Sequence, residues 1–412
     1  MVMTARRLMM GGTGGSSFAP APVASVFSLA TTGFWNDISE PRAYHYNGKT
    51  YLAWVTDLAH IWVAEYVHAT DTLSTPYDLG AVTAASGVIH VSPSIIVRSS
   101  DRKIVVAAVS EGGSNQPAVW VSTNAEDATA FGSATLFGSA GNHSYLSLTQ
   151  MSSATNDPIH AWTMRYDGSK YQLGYHASTD GGATWGSFTA VVNPSATDAL
   201  YWRIGTDWET IVHIFVTNTN REDANPSSVY HLTYDGTTFK TSDGTGMGSP
   251  PFTATAATLI QDTTYGPARC DGWAIDGSGK PAALILSYDA ANTRTTARAA
   301  RWTGSAWQVD AVGHSGGLIA SNRFISSGGM AKDDKNVIYL SEKVGSFFEM
   351  HRYTSADDGA TWTPEQLTSS SSEDHAMPDT PANAGAGLQA IWGLGTYTSD
   401  SNFDFVVQGY GT

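Results

Sequence analysis

Three short segments carry residues suited to moving protons and holding anions: His90-Val-Ser-Pro-Ser94, Asn142-His-Ser-Tyr145 and Tyr201-Trp-Arg203. Histidine, tyrosine and arginine together suit β-elimination on a uronic acid. A cation neutralises the carboxylate and so acidifies the C5 proton. A base must then reach C5 and an acid the O4 leaving group. His143 and Tyr145, two apart on a strand, are expected to point to one side. Arg165, just beyond the apolar run 158–164, is expected to reach the same cleft. His90, His143, Tyr145 and Arg165 are therefore the candidate catalytic group, with His143 as base. Each has a plainer reading: blade packing for His143 and Tyr145, a turn cap for His90, a rim ion pair for Arg165.

A second tier could bind substrate. Arg221, in Asn218-Thr-Asn-Arg-Glu-Asp223, offers a bidentate fork for a carboxylate, or pairs with its acidic neighbours. Tyr201, Trp202, Arg203, His213, His231 and Arg269 complete the tier. Trp202 could stack on a sugar face, although blade cores consume most tryptophans. The competing chemistry is hydrolysis by two carboxylates at defined separation. Asp207, Glu209, Glu222, Asp223 and Asp271 are available for it, in no signature arrangement. Sialidase-type chemistry would need an arginine triad around a tyrosine. Nucleotide-binding, zincin and serine-hydrolase motifs are absent. The chemistry considered requires no cofactor; a structural metal ion is possible, but lone Cys270 assigns none.

The elements that would position these residues are short strands. Tyr46-Asn-Gly-Lys-Thr-Tyr51, Tyr166-Asp-Gly-Ser-Lys-Tyr171, Tyr234-Asp-Gly-Thr-Thr-Phe239 and Trp302-Thr-Gly-Ser-Ala-Trp307 each read as a hairpin. A turn that accepts positive φ lies between two aromatics that pack on neighbouring strands. Ser178-Thr-Asp-Gly-Gly-Ala-Thr-Trp185 and Ser355-Ala-Asp-Asp-Gly-Ala-Thr-Trp362 both fit the S-x-D-x-G-x-T-W pattern of an Asp box. Recurrence of this kind predicts an all-β, seven-bladed β-propeller of four-stranded antiparallel blades. Blade cores are expected near residues 40–80, 90–125, 143–190, 200–242, 268–310, 320–363 and 375–410, with 23–35 as a closing strand. A β-sandwich with a second β domain is the alternative. Residues 1–22 are expected to be a flexible tail and 23–412 a single propeller domain.

Bulk composition narrows the partners. The net charge of −15, with only 22 Lys and Arg, argues against nucleic acid. It leaves room for an anionic polymer held in one basic cleft, since local complementarity outweighs the sum. No apolar run is long enough to span a membrane. The stretch MVMTARRLMMGGTGG is too short in apolar residues for an ordinary secretory signal and suits attachment to a bacterial surface or phage assembly. An extracellular, cell-surface or virion location is the corresponding expectation.

The chain resembles the BNR-repeat family that includes the seven-bladed ulvan lyases. The likeness rests on His90-Val-Ser-Pro-Ser94, His143 with Tyr145, Tyr201-Trp-Arg203, Asn220-Arg-Glu-Asp223, Ser228-Val-Tyr-His-Leu-Thr-Tyr-Asp-Gly236 and Cys270-Asp-Gly-Trp-Ala-Ile-Asp276. It implies a lyase acting on an acidic, uronate-containing polysaccharide. It would place the family's blade-opening histidine on His90, its catalytic tyrosine on Tyr145 and its carboxylate-neutralising arginine on Arg165. The family's second histidine has no counterpart over Ala107–Glu111, so ulvan itself is not implied. A glycan-binding adhesion propeller without catalysis, and a glycoside hydrolase, are the alternatives.

Overall fold

A computed structural model describes residues 25–33, 35, 38–56, 59–82, 91, 93–110, 116–138, 143–154, 156–194, 199–218, 227–288, 293–317, 327–383, 387–399 and 402–411. They form a seven-bladed β-propeller of antiparallel sheets, as the repeats predict. The third blade is typical: His143–Gln150, Ile159–Tyr166, Tyr171–Ser178 and Thr189–Asn193 pair in sequence order. A sheet of this size cannot cover both of its own faces, so each blade packs on the next. First strands of neighbouring blades touch around the axis.

Closure comes from the N-terminal side. Ser25–Thr32 pairs antiparallel with Asn402–Gly411 and becomes the outer strand of the last blade. The expected closing strand is thus observed. Most predicted blades agree with the strands to within several residues; the second runs on to Thr135–Leu136, past its expected end at 125. Three sheets carry an additional short strand: Tyr77–Ala81 in the first blade, Phe252–Thr253 in the third and Thr258–Gln261 in the fourth.

The four aromatic hairpins fall at non-equivalent places. One joins first and second strands (Tyr46), one second and third (Tyr166), and two third and fourth (Tyr234, Trp302). Each turn type is local chemistry that any strand pair can use. Both Asp boxes, by contrast, link third and fourth strands. In the first, Asp180 accepts from Thr184 N (2.8 Å) and Ser178 Oγ (2.9 Å), while Trp185 Nε1 donates to Gly182 O (3.1 Å). The second repeats this pattern through Asp357, Thr361, Ser355 and Trp362.

Buried charged side chains from several blades meet near the axis. Glu40 lies in the segment entering the first blade, and it contacts the innermost part of five other blades. Its backbone N donates to Ser147 Oγ (3.0 Å) and its carbonyl accepts from Ser94 Oγ (2.7 Å). Its carboxylate accepts from Trp273 Nε1 (2.8 Å) and pairs with Lys332 (3.4 Å) and Arg203 (3.8 Å). Lys332 also donates to Asp379 (2.6 Å), which pairs with Arg42 (3.2 Å). Arg269 Nη2 donates to Asp271 (2.9 Å). All seven of these charged residues are buried, so the cost of desolvating each ion is offset only by its partners.

Candidate active site

Strand direction sets which residues can share a cleft. His143 opens the first strand of the third blade, Arg165 nearly closes the second, and the two are paired across the ladder. Paired residues project to the same face of a sheet. Beneath them, His176 on the third strand turns toward the same side. Its ring lies 5.7 Å from that of His143 and 5.5 Å from that of Phe188. Arg165 stacks over Phe188, with Cζ 5.3 Å from the ring centre. Gly138, Arg165, His176, Trp185, Gly186, Ser187 and Phe188 line a cleft of 290 Å³.

The Asp box builds much of this wall. It places Trp185 against Phe137 of the second blade, with rings stacked at 4.4 Å, and Gly186 and Ser187 follow directly. Gly138 is required opposite. It has φ of +72°, and an added Cβ would lie 3.1 Å from His176 Nε2 and 3.6 Å from His143 Nε2. Any side chain would wedge between the imidazoles while adopting a backbone conformation that favours glycine.

Electrostatically the cleft is positive. Arg165 is half-buried, and no carboxylate among the described residues pairs with it. His176 is 1% exposed and its Nδ1 lies 2.8 Å from Gly186 O. Burial pushes its pKa below the usual 6.5, against the Gly186 contact, and Arg165 adds to the lowering. A neutral ring donating from Nδ1 to a carbonyl carries its lone pair on Nε2. That nitrogen is buried without a hydrogen-bond partner.

The sequence-predicted residues separate into groups. Arg165 lines the cleft. His143 lies behind it, fully buried against His176 and Phe188. Tyr145 does not share the side of His143, contrary to the expected alternation. The ladder shifts register between Ser144 and Leu146, and Tyr145 takes φ of 56° in the bulge. Two successive residues therefore turn toward the fourth blade, where Tyr145 packs among Met164, Trp202 and Ile204, 6.5 Å from the Tyr201 ring. A left-handed tyrosine is uncommon and strained, a feature found often at functional positions.

The second tier is spread out. Arg203 and Arg269 are 2% exposed and belong to the axial ion network. Tyr201 and Trp202 pack in the core between the third and fourth blades. His213 and His231 stack at 5.3 Å, with His213 Nδ1 3.0 Å from His231 Nε2 and His231 Nδ1 2.7 Å from Ser242 Oγ. Ser242 Oγ also accepts from Trp307 Nε1 of the fifth blade at 3.0 Å. Burial lowers the pKa of His213 to about 4 and that of His231 well below its usual value, so this pair is neutral packing. His90 and Arg221 lie outside the described residues, as does the proposed tail. Cys270 is a buried thiol whose Sγ lies 3.1 Å from Gly272 O, and burial raises its pKa. Among the described residues, no group of three His, Cys, Asp or Glu could hold a metal ion. No described helix is long and apolar enough to cross a membrane.

His176 was not singled out by the sequence. It sits on a regular strand with no motif of its own, and only its position two residues before the first Asp box could have drawn attention. Glu40, the axial hub, gave no signal either.

The seven-bladed propeller itself has counterparts among known proteins. Residues 49–315, more than half of the chain, match the family described as BNR repeat-containing family member, and the chain belongs to that family. No curated protein matches it. A solved ulvan lyase of a polysaccharide lyase family superposes with TM-score 0.75 at 16% identity, covering 92% of this chain and 94% of that one. The structure described as that lyase bound to -[GlcA(1-4)Rha3S]- gives 0.73 at 15% identity, covering 92% and 94%. At this identity the likeness is one of fold.

Proposed function

We propose that this protein is a polysaccharide lyase that cleaves an acidic, uronate-containing polymer by β-elimination. The observation that carries the reading is Arg165, a half-buried cation in a cleft with no carboxylate partner among the described residues. A guanidinium in such a place is suited to an oxyanion from outside the chain. Set on a uronate carboxylate, it would stabilise the enolate that forms when the C5 proton leaves. The C4–O4 bond then breaks, a C4–C5 double bond forms, and the departing oxygen takes a proton. His143 is the proposed base and Tyr145 the proposed acid, with His90 the further candidate. The likeness of fold to an ulvan lyase supports the reaction class.

A second reading is favoured by one observation. His143 is fully buried and Tyr145 is 5% exposed in the neighbouring blade gap, so neither stands open beside Arg165. A glycan-binding propeller without catalysis would need only the cleft. In either case the partner is an acidic polysaccharide, and the N-terminal segment would attach the propeller to a cell surface or virion.

One assay separates these readings. Incubation with a panel of acidic polysaccharides should raise the ultraviolet absorbance of unsaturated uronate. Flat absorbance with measurable binding would leave the non-catalytic reading. New reducing ends without absorbance would mean hydrolysis.

A further inference from the structure

We infer that His176 is a second anion-recognising residue of the Arg165 cleft, one that takes up a proton when a carboxylate binds there. The inference rests on the uronate reading of this cleft and deepens it.

Four features of the geometry point this way. His176 lines the same cleft as Arg165 and is nine-tenths buried or more. Its Nδ1 is committed to Gly186 O at 2.8 Å, so a proton can be added only at Nε2. Nε2 has no hydrogen-bond partner, and Gly138 leaves the space beside it without a side chain. The groups packed around the ring are Phe137 and Phe188, which are apolar, the titratable His143, and the permanent cation Arg165. No carboxylate of the described chain stands against the ring to favour imidazolium.

The ligand-free cleft thus holds one cation and one neutral imidazole beside it. Burial is the main reason the ring stays neutral, and protonating His176 would in addition place a second positive group beside Arg165. A carboxylate on Arg165 would shift that balance toward imidazolium. It cancels the guanidinium field and offers an oxyanion to an Nε2–H donor. Linkage makes the effect reciprocal: if the bound anion favours imidazolium, protonation must strengthen anion binding by the same factor. Affinity should rise as pH falls through the ligand-bound pKa of His176, and level off below its ligand-free pKa, which lies under 6.5.

The test uses the intact chain with histidine-selective isotope labelling, and methyl β-glucuronide as ligand. That compound carries one carboxylate and no 4-linked sugar to expel, so binding is read apart from elimination. The imidazole resonance of His176, assigned by its loss in His176→Gln, is titrated with and without saturating ligand. A rise in its pKa on binding is expected, with affinity several-fold higher at the acid end of the titration. Methyl β-glucoside, lacking the carboxylate, should produce no rise. His143→Gln should leave the rise in place, which rules out transmission through the neighbouring ring. Because the titration is read in the unaltered protein, it does not depend on His176→Gln folding. An unchanged His176 pKa at saturation would overturn the inference while leaving the cleft as an anion site. Absence of glucuronide binding at any pH would overturn both the inference and the uronate reading.

Discussion

Cations at two places in this propeller are treated in opposite ways. Along the axis, Arg42, Arg203, Arg269 and Lys332 are buried and matched with Glu40, Asp271 and Asp379. At the junction of the second and third blades, Arg165 has aromatic and histidine neighbours and no described carboxylate. Basic residues at the first network complete the fold. The second leaves a charge requirement for something else to meet. Arginine on a first strand is therefore a poor marker of function here; the absence of an internal counter-ion is a better one.

That contrast can be broken from either side. The largest effect on stability is expected from Glu40→Ala, which takes one counter-charge from Arg203, leaves Lys332 with Asp379 alone, and frees the Trp273 N–H. Breaking a buried ion pair on one side costs about 3–5 kcal/mol, and urea unfolding should show a loss of that order. Glu40→Gln, which keeps an acceptor for Trp273, should cost less. Arg165→Ala should do the reverse. Turnover is expected to fall about 10²–10³-fold, in line with removal of a preorganised charge-stabilising group, while the unfolding midpoint scarcely moves. A large stability loss in Arg165→Ala would put that residue with the axial group.

The Asp box that walls the cleft should respond more weakly. Asp180→Ala removes the acceptor of Thr184 N and Ser178 Oγ, but the group is exposed and water takes over part of its role. A cost of about 1 kcal/mol is expected, with some loss of substrate affinity as Trp185 to Phe188 loosen. pH probes the buried groups separately. Burial raises the pKa of Asp379, but Lys332 and Arg42 outweigh it and hold it down at about 2. Its stabilisation is full above the ordinary value of 3.8 and is lost as pH falls through about 2. His213 acts in a higher window. Neutral when folded, it begins to cost stability as pH drops below 6.5, and the loss levels off below about 4. Acid unfolding of Asp379→Asn and His213→Phe should flatten these two windows separately.

Much of the fold was legible in the sequence because its signals are local. Aromatic residues around Asn-Gly and Asp-Gly turns, and the paired Asp boxes, specify hairpins within a few residues. Together with the short apolar runs between them, they mark out seven blade-length segments and a closing strand. The hairpins do not mark equivalent blade positions, yet the count survives, since any strand pair can use the turn.

The site was less legible for two physical reasons. Axial contacts join residues far apart in sequence: Trp273 and Glu40 are separated by 233 positions. No local pattern announces that Arg203 and Arg269 face such partners, so they read as candidate substrate ligands. The bulge at Tyr145 is the second reason. Ser144 and Tyr145 are ordinary strand residues, and nothing in their types reveals the register shift that turns Tyr145 from the side of His143. His176, by contrast, was missed because its chemistry arises from Gly186 O and Gly138, contacts that only the folded blade junction creates.

The central claim is that the unmatched charge of Arg165 serves elimination on a uronate polymer. Its most direct test is a side-by-side ultraviolet trace of the unaltered protein and Arg165→Gln on a polyglucuronate substrate. A steady rise from the former and a nearly flat line from the latter, with equal unfolding midpoints, is the predicted result. Equal rates from both proteins, or a flat trace from the unaltered protein across all acidic polysaccharides, would contradict it.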